Sequence, residues 1–239
     1  MHKWGPLCLM AGLLLSGPRL RADVVTVGSA DTTNCLPFGC ARANSVSEYQ
    51  QVYLASSFVG ALPFNIAAVS FFKTLDPTPD LLTSGTYTIS FSTTGKSVGG
   101  LDSTLDQNVG LDRRVFFSGT LGGAIGTELT IGGNGATPTF NYDPGAGNLL
   151  MDIKVSGASA DTHILFNADD VSSTMSRAAI GLSDPLNIGL VTEFSTIAPP
   201  SPPPPPVPEP GTLLLLGTGL LSIARAARRK WLRSNLTSD

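Results

Sequence analysis

The chain has 239 residues, of which 14% are charged and 42% apolar, with 26 glycines and 18 prolines. The net charge of −3 conceals an uneven split: residues 23–207 hold seven basic against sixteen acidic side chains, near −9. Such a body repels a phosphate backbone, which argues against nucleic-acid partners, while its length suits one domain with a real core.

Residues 1–22 have the layout of a secretory signal peptide. Lys3 lies in a short n-region, and an apolar run over 7–15 is broken only by Gly12. Ala22 then offers a small residue before Asp23, the expected start of the mature chain. Arg19 and Arg21 sit close to that cut, and an uncleaved anchor is the competing reading; the apolar run is short for a span. Cys8 leaves with this segment. Cys35 and Cys40 remain, separated by Leu-Pro-Phe-Gly. A bridge between them closes a tight loop that Pro37 and Gly39 can bend. The alternative, half a metal site, needs two more ligands.

The body reads as short strands divided by turns. Residues 51–58 form one, with Val52, Leu54 and Phe58 inward. Residues 66–72 form another, with Val69 and Phe71 on one face. The cleanest alternation runs over 86–93: Tyr87, Ile89 and Phe91 against Thr88, Ser90 and Ser92. Residues 115–121 alternate through Val115, Phe117 and Leu121, and 128–131 is short and bounded by glycine. Over 149–156, Leu149, Met151, Ile153 and Val155 oppose Asp152, Lys154 and Ser156. Residues 163–167 and 188–194 are further strands, and 101–108 is a short helical turn on the surface. Asp-Pro and Gly-Gly signals lie between these runs. The spacing predicts an all-β, antiparallel β-sandwich over 23–198, jelly-roll-like or immunoglobulin-like.

The chemistry-bearing residues are sparse. His163 is the only histidine in the body, and no G-x-S-x-G elbow accompanies it. Zinc is excluded on ligand count. Asp161, Asn167, Asp169, Asp170 and Asp184 are oxygen donors of the kind calcium takes, and Asp102, Asp106 and Asp112 repeat the pattern more weakly. No calcium-loop spacing joins them, and polar loops of an acidic protein carry the same residues. Glu48, Glu128 and Glu193 are the only Glu in the body, none in an aromatic setting suited to sugar stacking. No cofactor and no catalytic residue is expected.

The end of the chain carries the strongest signal. Residues 199–210 read PPSPPPPPVPEP, a polyproline segment reaching about 37 Å at about 3.1 Å per residue. An uncharged, largely apolar run follows over 211–224, rising about 21 Å as a helix against about 30 Å of hydrocarbon. Extending it to 227 needs Arg225 to snorkel. Arg225, Arg228, Arg229, Lys230 and Arg233 close the chain and set its orientation, basic end inside.

The triplet Pro208-Glu209-Pro210, the apolar run and the basic cluster, in that order, resemble the PEP-CTERM sorting signal of Gram-negative bacteria. The segments SGTYTISFSTT (84–94), VFFSGTL (115–121), FNYDPGAGNLLMDIKVSG (140–157) and GLVTEFST (189–196) are similar to bodies of proteins in that group. The resemblance implies Pro208, Glu209, Pro210, Arg225, Arg228, Arg229 and Lys230 as sorting residues. It implies signal peptidase, an exosortase-type enzyme and, transiently, the inner membrane as partners. The destination is the cell surface or extracellular matrix, in association with exopolysaccharide. The domain plan is then signal peptide 1–22, sandwich 23–198, proline linker 199–207 and sorting segment 208–239 with a membrane run at 211–227. The role expected is structural or adhesive and non-enzymatic. A carbohydrate-binding or carbohydrate-hydrolysing domain is the alternative, which paired carboxylates or clustered aromatics in a groove would favour.

Overall fold

A computed structural model of the chain describes residues 23–40, 46–58, 63–75, 81–133, 135, 138–159, 161–171, 173–180 and 187–196. The signal-peptide, linker and sorting-segment readings lie outside them. All described residues belong to the first of two units, Met1–Pro199 and Pro200–Asp239.

Fourteen strands are described: β1 (Val24–Val27), β2 (Thr32–Asn34), β3 (Glu48–Tyr53), β4 (Phe64–Ile66), β5 (Ala68–Phe72), β6 (Leu81–Thr94), β7 (Arg114–Ala124), β8 (Glu128–Gly132), β9 (Phe140–Tyr142), β10 (Asn148–Ser156), β11 (Phe166–Asp169), β12 (Met175–Ala179), β13 (Gly189–Leu190) and β14 (Thr192–Ser195). Short 3-10 turns at Ala55–Phe58, Leu105–Asn108 and Pro144–Ala146 are the only helical elements among the described residues. The body is all-β, and every pairing of its strands is antiparallel.

Two sheets dominate. One runs β1-β14-β5-β8 and the other β12-β3-β10-β6-β7; β13-β11-β2 and β4-β9 are smaller. Eight strands explain the order of the large sheets: β1, β3, β5, β6, β7, β8, β10 and β14. The first pairs with the last, the second with the seventh, the third with the sixth and the fourth with the fifth. This is one long hairpin with β6 and β7 at its tip. Rolling it up adds β14 beside β5 and β10 beside β6.

The inner faces of both sheets share one core. The Tyr53 and Phe194 rings meet edge to face at 4.9 Å, and Phe91 stands 6.2 Å from Phe194. Phe38, from the loop after β2, packs on Phe71 at 5.1 Å and Tyr87 at 5.7 Å. Such aromatic pairs add to the area they bury. Leu149, Met151, Ile153 and Val155 all face this core, as their alternation predicts. Gln51 faces it too, and its side chain takes the place of a strand neighbour. Nε2 donates to the Leu190 carbonyl at 2.8 Å, and Oε1 accepts from the Leu190 N–H at 2.8 Å. The Tyr49 hydroxyl also donates to that Oε1, at 2.6 Å. Burial pushes the Tyr49 phenol up to about 12.

Several expectations are corrected. The strand read over 51–58 begins at Glu48 and stops at Tyr53, where a 3-10 turn takes over. Tyr49 and Tyr53 are its core residues, while Val52 joins a separate cluster on the outer face. In β7 the buried residue is Phe116, and Val115 is 47% exposed. The pairing explains it: Ser90 opposes Val115 but Ile89 opposes Phe117, so Phe116 is the extra residue of a β-bulge. Residues 163–165 precede β11, and His163 has φ of 55°. The 101–108 segment does contain a short helical turn, Leu105–Asn108, with Ser103, Thr104, Asp106 and Gln107 exposed, but Leu101, Leu105 and Asn108 are buried. β1, β2, β4, β9 and β12 carry too few alternating residues to show a period.

Candidate functional site

The crossover from β6 to β7, residues 95–113, folds back over the outer face of the five-stranded sheet. Leu101 and Leu105 pack there on Val52, Leu150 and Ala178, a second small core. A polar cluster lies at its margin. Register places Asp152 of β10 between Gln50 of β3 and Ser90 of β6, and Lys154 beside Glu48.

Gln50 is the hub. Its Nε2 faces Glu48 Oε1 at 3.4 Å, Asp152 Oδ1 at 3.3 Å and the Leu105 carbonyl at 3.2 Å. Its Oε1 accepts from Asn108 Nδ2 at 2.9 Å. Asn108 also holds both main-chain groups of Asp102, at 2.7 and 2.9 Å. Lys154 Nζ lies 3.4 Å from Glu48 Oε2, and Arg113 Nη2 lies 3.5 Å from Asp152 Oδ2. Burial first, then the neighbouring Glu48 carboxylate, pushes Asp152 up to about 7, against the opposing pull of Gln50 and Lys154.

Two carboxyls side by side, one titrating near neutrality, are the ingredients of general acid chemistry. Both groups are nearly closed to solvent. Asp152 is 2% exposed and Glu48 8%. Gln50 Nε2 stands against both carboxyls and the Leu105 carbonyl. A depression of about 240 Å³ elsewhere is lined by Val98, Asp170, Val171, Ser173 and Asn187, and neither carboxyl reaches it. Gln50 and Asn108 tie the crossover to the sheet, while among the described residues Asp152 Oδ2 accepts no hydrogen bond and has only Arg113 nearby.

The other sequence candidates are placed as follows. Cys35 and Cys40 are bridged, with Cα atoms 5.4 Å apart. Gly39 in their loop lies so close to the Ile164 carbonyl that a Cβ has no room. Its own carbonyl accepts from the Thr162 and His163 N–H groups at 2.9 and 3.0 Å. His163 is exposed at this contact. Asp169 is buried, and its carboxylate accepts from the Ser29 and Val171 N–H groups at 2.7 and 3.1 Å. Asp31 Oδ1 accepts from the Asp170 N–H at 3.1 Å. These acids tie loops together, and Asp184 lies outside the described residues. Among the described residues no three His, Cys, Asp or Glu side chains converge as metal ligands do. Asp102 Oδ1 accepts from the Thr104 N–H and Asp112 Oδ1 from the Thr93 N–H, both at 2.8 Å. Sequence reading does not single out Gln50, Asn108 or Arg113. Each is an ordinary polar residue whose partners lie far away in the chain, and no local signal marks it.

The described body is an all-β antiparallel unit, and the family match lies beyond it, at the end of the chain. Residues 206–230 match the family model of the PEP-CTERM protein-sorting motif. The chain carries that motif, and the matched range includes Pro208, Glu209, Pro210, Arg225, Arg228, Arg229 and Lys230. The motif implies an exported protein processed by an exosortase-type enzyme. No curated protein and no solved structure matches the chain. No helix among the described residues is long and apolar enough to cross a membrane; residues 211–227 lie outside them.

Proposed function

We propose that this protein is a structural or adhesive component of the cell surface or extracellular matrix, associated with exopolysaccharide and without catalytic activity or a resident cofactor. The sorting motif at 206–230 carries the reading, because it dedicates the last part of the chain to delivery. The body it delivers is read as a jelly-roll β-sandwich. Support comes from the pairing of eight strands as a rolled-up hairpin, first with last and fourth with fifth. The non-catalytic role is supported by the sealed Glu48–Asp152 pair. On this reading signal peptidase removes residues 1–22 and the exosortase-type enzyme removes the chain beyond about Glu209. The polyproline stalk holds the body clear of the bilayer during processing.

The test is the mass and location of the mature protein in the cell that makes it. The expected product is surface-localised, begins near Asp23 and lacks peptides containing Trp231. Surface protein that retains Trp231 would contradict the processing, and retention in the cytoplasm would contradict the sorting.

A further inference from the structure

The four edges of the two large sheets are not alike. An exposed edge strand carries unpaired N–H and C=O groups, and proteins blunt such edges with short length, charge, proline, bulges or inward-pointing ions. β1 has four residues, and β8 has five and begins with Glu128. β12 has five and carries Arg177, whose register with Gln51 turns it inward. β7 has eleven residues, and after Arg114 it contains neither a charged residue nor a proline: VFFSGTLGGA. Register shifts at Ile89/Ser90 and Leu82/Gly85 bound a regular stretch between them, residues 117–121. Among the described residues these five make main-chain hydrogen bonds only to β6.

That stretch is complementary to itself. Phe117 and Leu121 are half-buried against the core, and Ser118 and Thr120 are exposed on the other face. The Phe117 ring lies over Gly119, where a Cβ would stand 3.1 Å from it. A two-fold axis through Gly119 sets Phe117 opposite Leu121 of a second copy, and Ser118 opposite its Thr120. The first pair covers the half-exposed apolar side chains at the sheet edge. The second joins two hydroxyls, a favourable cross-strand pair.

We infer that β7 is a self-association edge, pairing antiparallel with β7 of a second copy of this chain about Gly119. The two five-stranded sheets then form one continuous sheet across an isologous interface. On the proposed function, copies sorted to one surface are concentrated there, which favours so small a contact.

The test uses the full chain in detergent, with Cys8→Ser so that Cys35 and Cys40, which are bridged, are the only native cysteines. Ser118→Cys and Thr120→Cys are prepared as separate single variants and oxidised alone and as an equal mixture. Cross-linked dimer is expected in the mixture at least tenfold above either variant alone, because Ser118 faces Thr120 and not itself. Equal cross-linking in all three samples, or none in the mixture, would overturn the pairing. Sedimentation gives an independent readout. Replacing both residues, Ser118→Lys with Thr120→Lys, sets like charges opposite each other without touching the core. The dimer dissociation constant should rise at least tenfold. A wild-type chain that stays monomeric at the highest concentration reached, or an unchanged constant in the double variant, would overturn the interface.

Discussion

The two faces of β10 differ although one alternating sequence builds both. The inner face sets Leu149, Met151, Ile153 and Val155 into the aromatic core. The outer face changes along its length: Leu150 and Asp152 are buried, Lys154 is half-buried and Ser156 is exposed. Alternation with period two decides which side of a sheet a residue faces. It does not decide what covers that side. The inner face is covered from Leu149 to Val155 by the common core. The outer face is covered only where the 95–113 crossover lies back on it, so a carboxyl ends up almost as dry as its apolar neighbours.

Truncation on the inner face should have the largest effect. Ile153 is fully buried and sits between Tyr49 and Ile89 in register. Ile153→Ala removes transfer energy and leaves a cavity, for a loss of about 2–5 kcal/mol in urea denaturation. A loss below about 0.5 kcal/mol is what surface positions give, and would place Ile153 outside the core.

Asp152, one residue before it, should reveal itself through pH. Its carboxyl is raised from 3.8 to about 7 in the folded protein. The folded state therefore holds this proton more tightly than the unfolded chain. The associated stability is complete below pH 3.8 and is lost as pH rises through about 7. Asp152→Asn has no such proton and sets an uncharged amide of the same shape in its place. The wild type should lose stability relative to Asp152→Asn between pH 4 and pH 7.5, by a few kcal/mol at most, since each tenfold change in proton affinity is worth about 1.4 kcal/mol. Parallel stability curves for the two proteins across that range would show that Asp152 titrates as it does in the unfolded chain.

The contrast also sets what is legible in the sequence. The inner faces of β6 over 87–91 and of β10 over 149–155 are legible because Tyr87-Ile89-Phe91 and Leu149-Met151-Ile153-Val155 keep strict period there. In β7 only Val115 reads out of phase, since the bulge at Phe116 shifts the period there without any marker residue, while Phe117 and Leu121 pack on the core as their alternation predicts. β12 gives no signal because Met-Ser-Arg-Ala-Ala is buried on both faces and has no polar side to alternate with. The bridge between Cys35 and Cys40 is legible through spacing and export. The Gln50–Asp152–Asn108 network is not, because it joins residues 58 and 102 positions apart. Sorting is the reverse case: it depends on the linear order of a triplet, an apolar run and basic residues, so sequence states it without any fold.

The smallest effect belongs to the outer end of the cluster. Lys154 and Glu48 form an ion pair at 3.4 Å, but the lysine side chain is 41% exposed. Water screens such a pair, and holding two long side chains together costs entropy, so exposed pairs contribute about 0–1 kcal/mol. Lys154→Met keeps most of the aliphatic stem and should lower stability by less than about 1 kcal/mol at pH 7. It removes one of the two groups that pull the Asp152 carboxyl down, so the carboxyl should move further up and the pH dependence of the Met variant should shift to higher pH. A loss above about 3 kcal/mol is the size expected when one partner of a truly buried pair is removed. That result would mean the outer face is sealed along all of β10, and the gradient from Leu150 to Ser156 would no longer distinguish it from the core face.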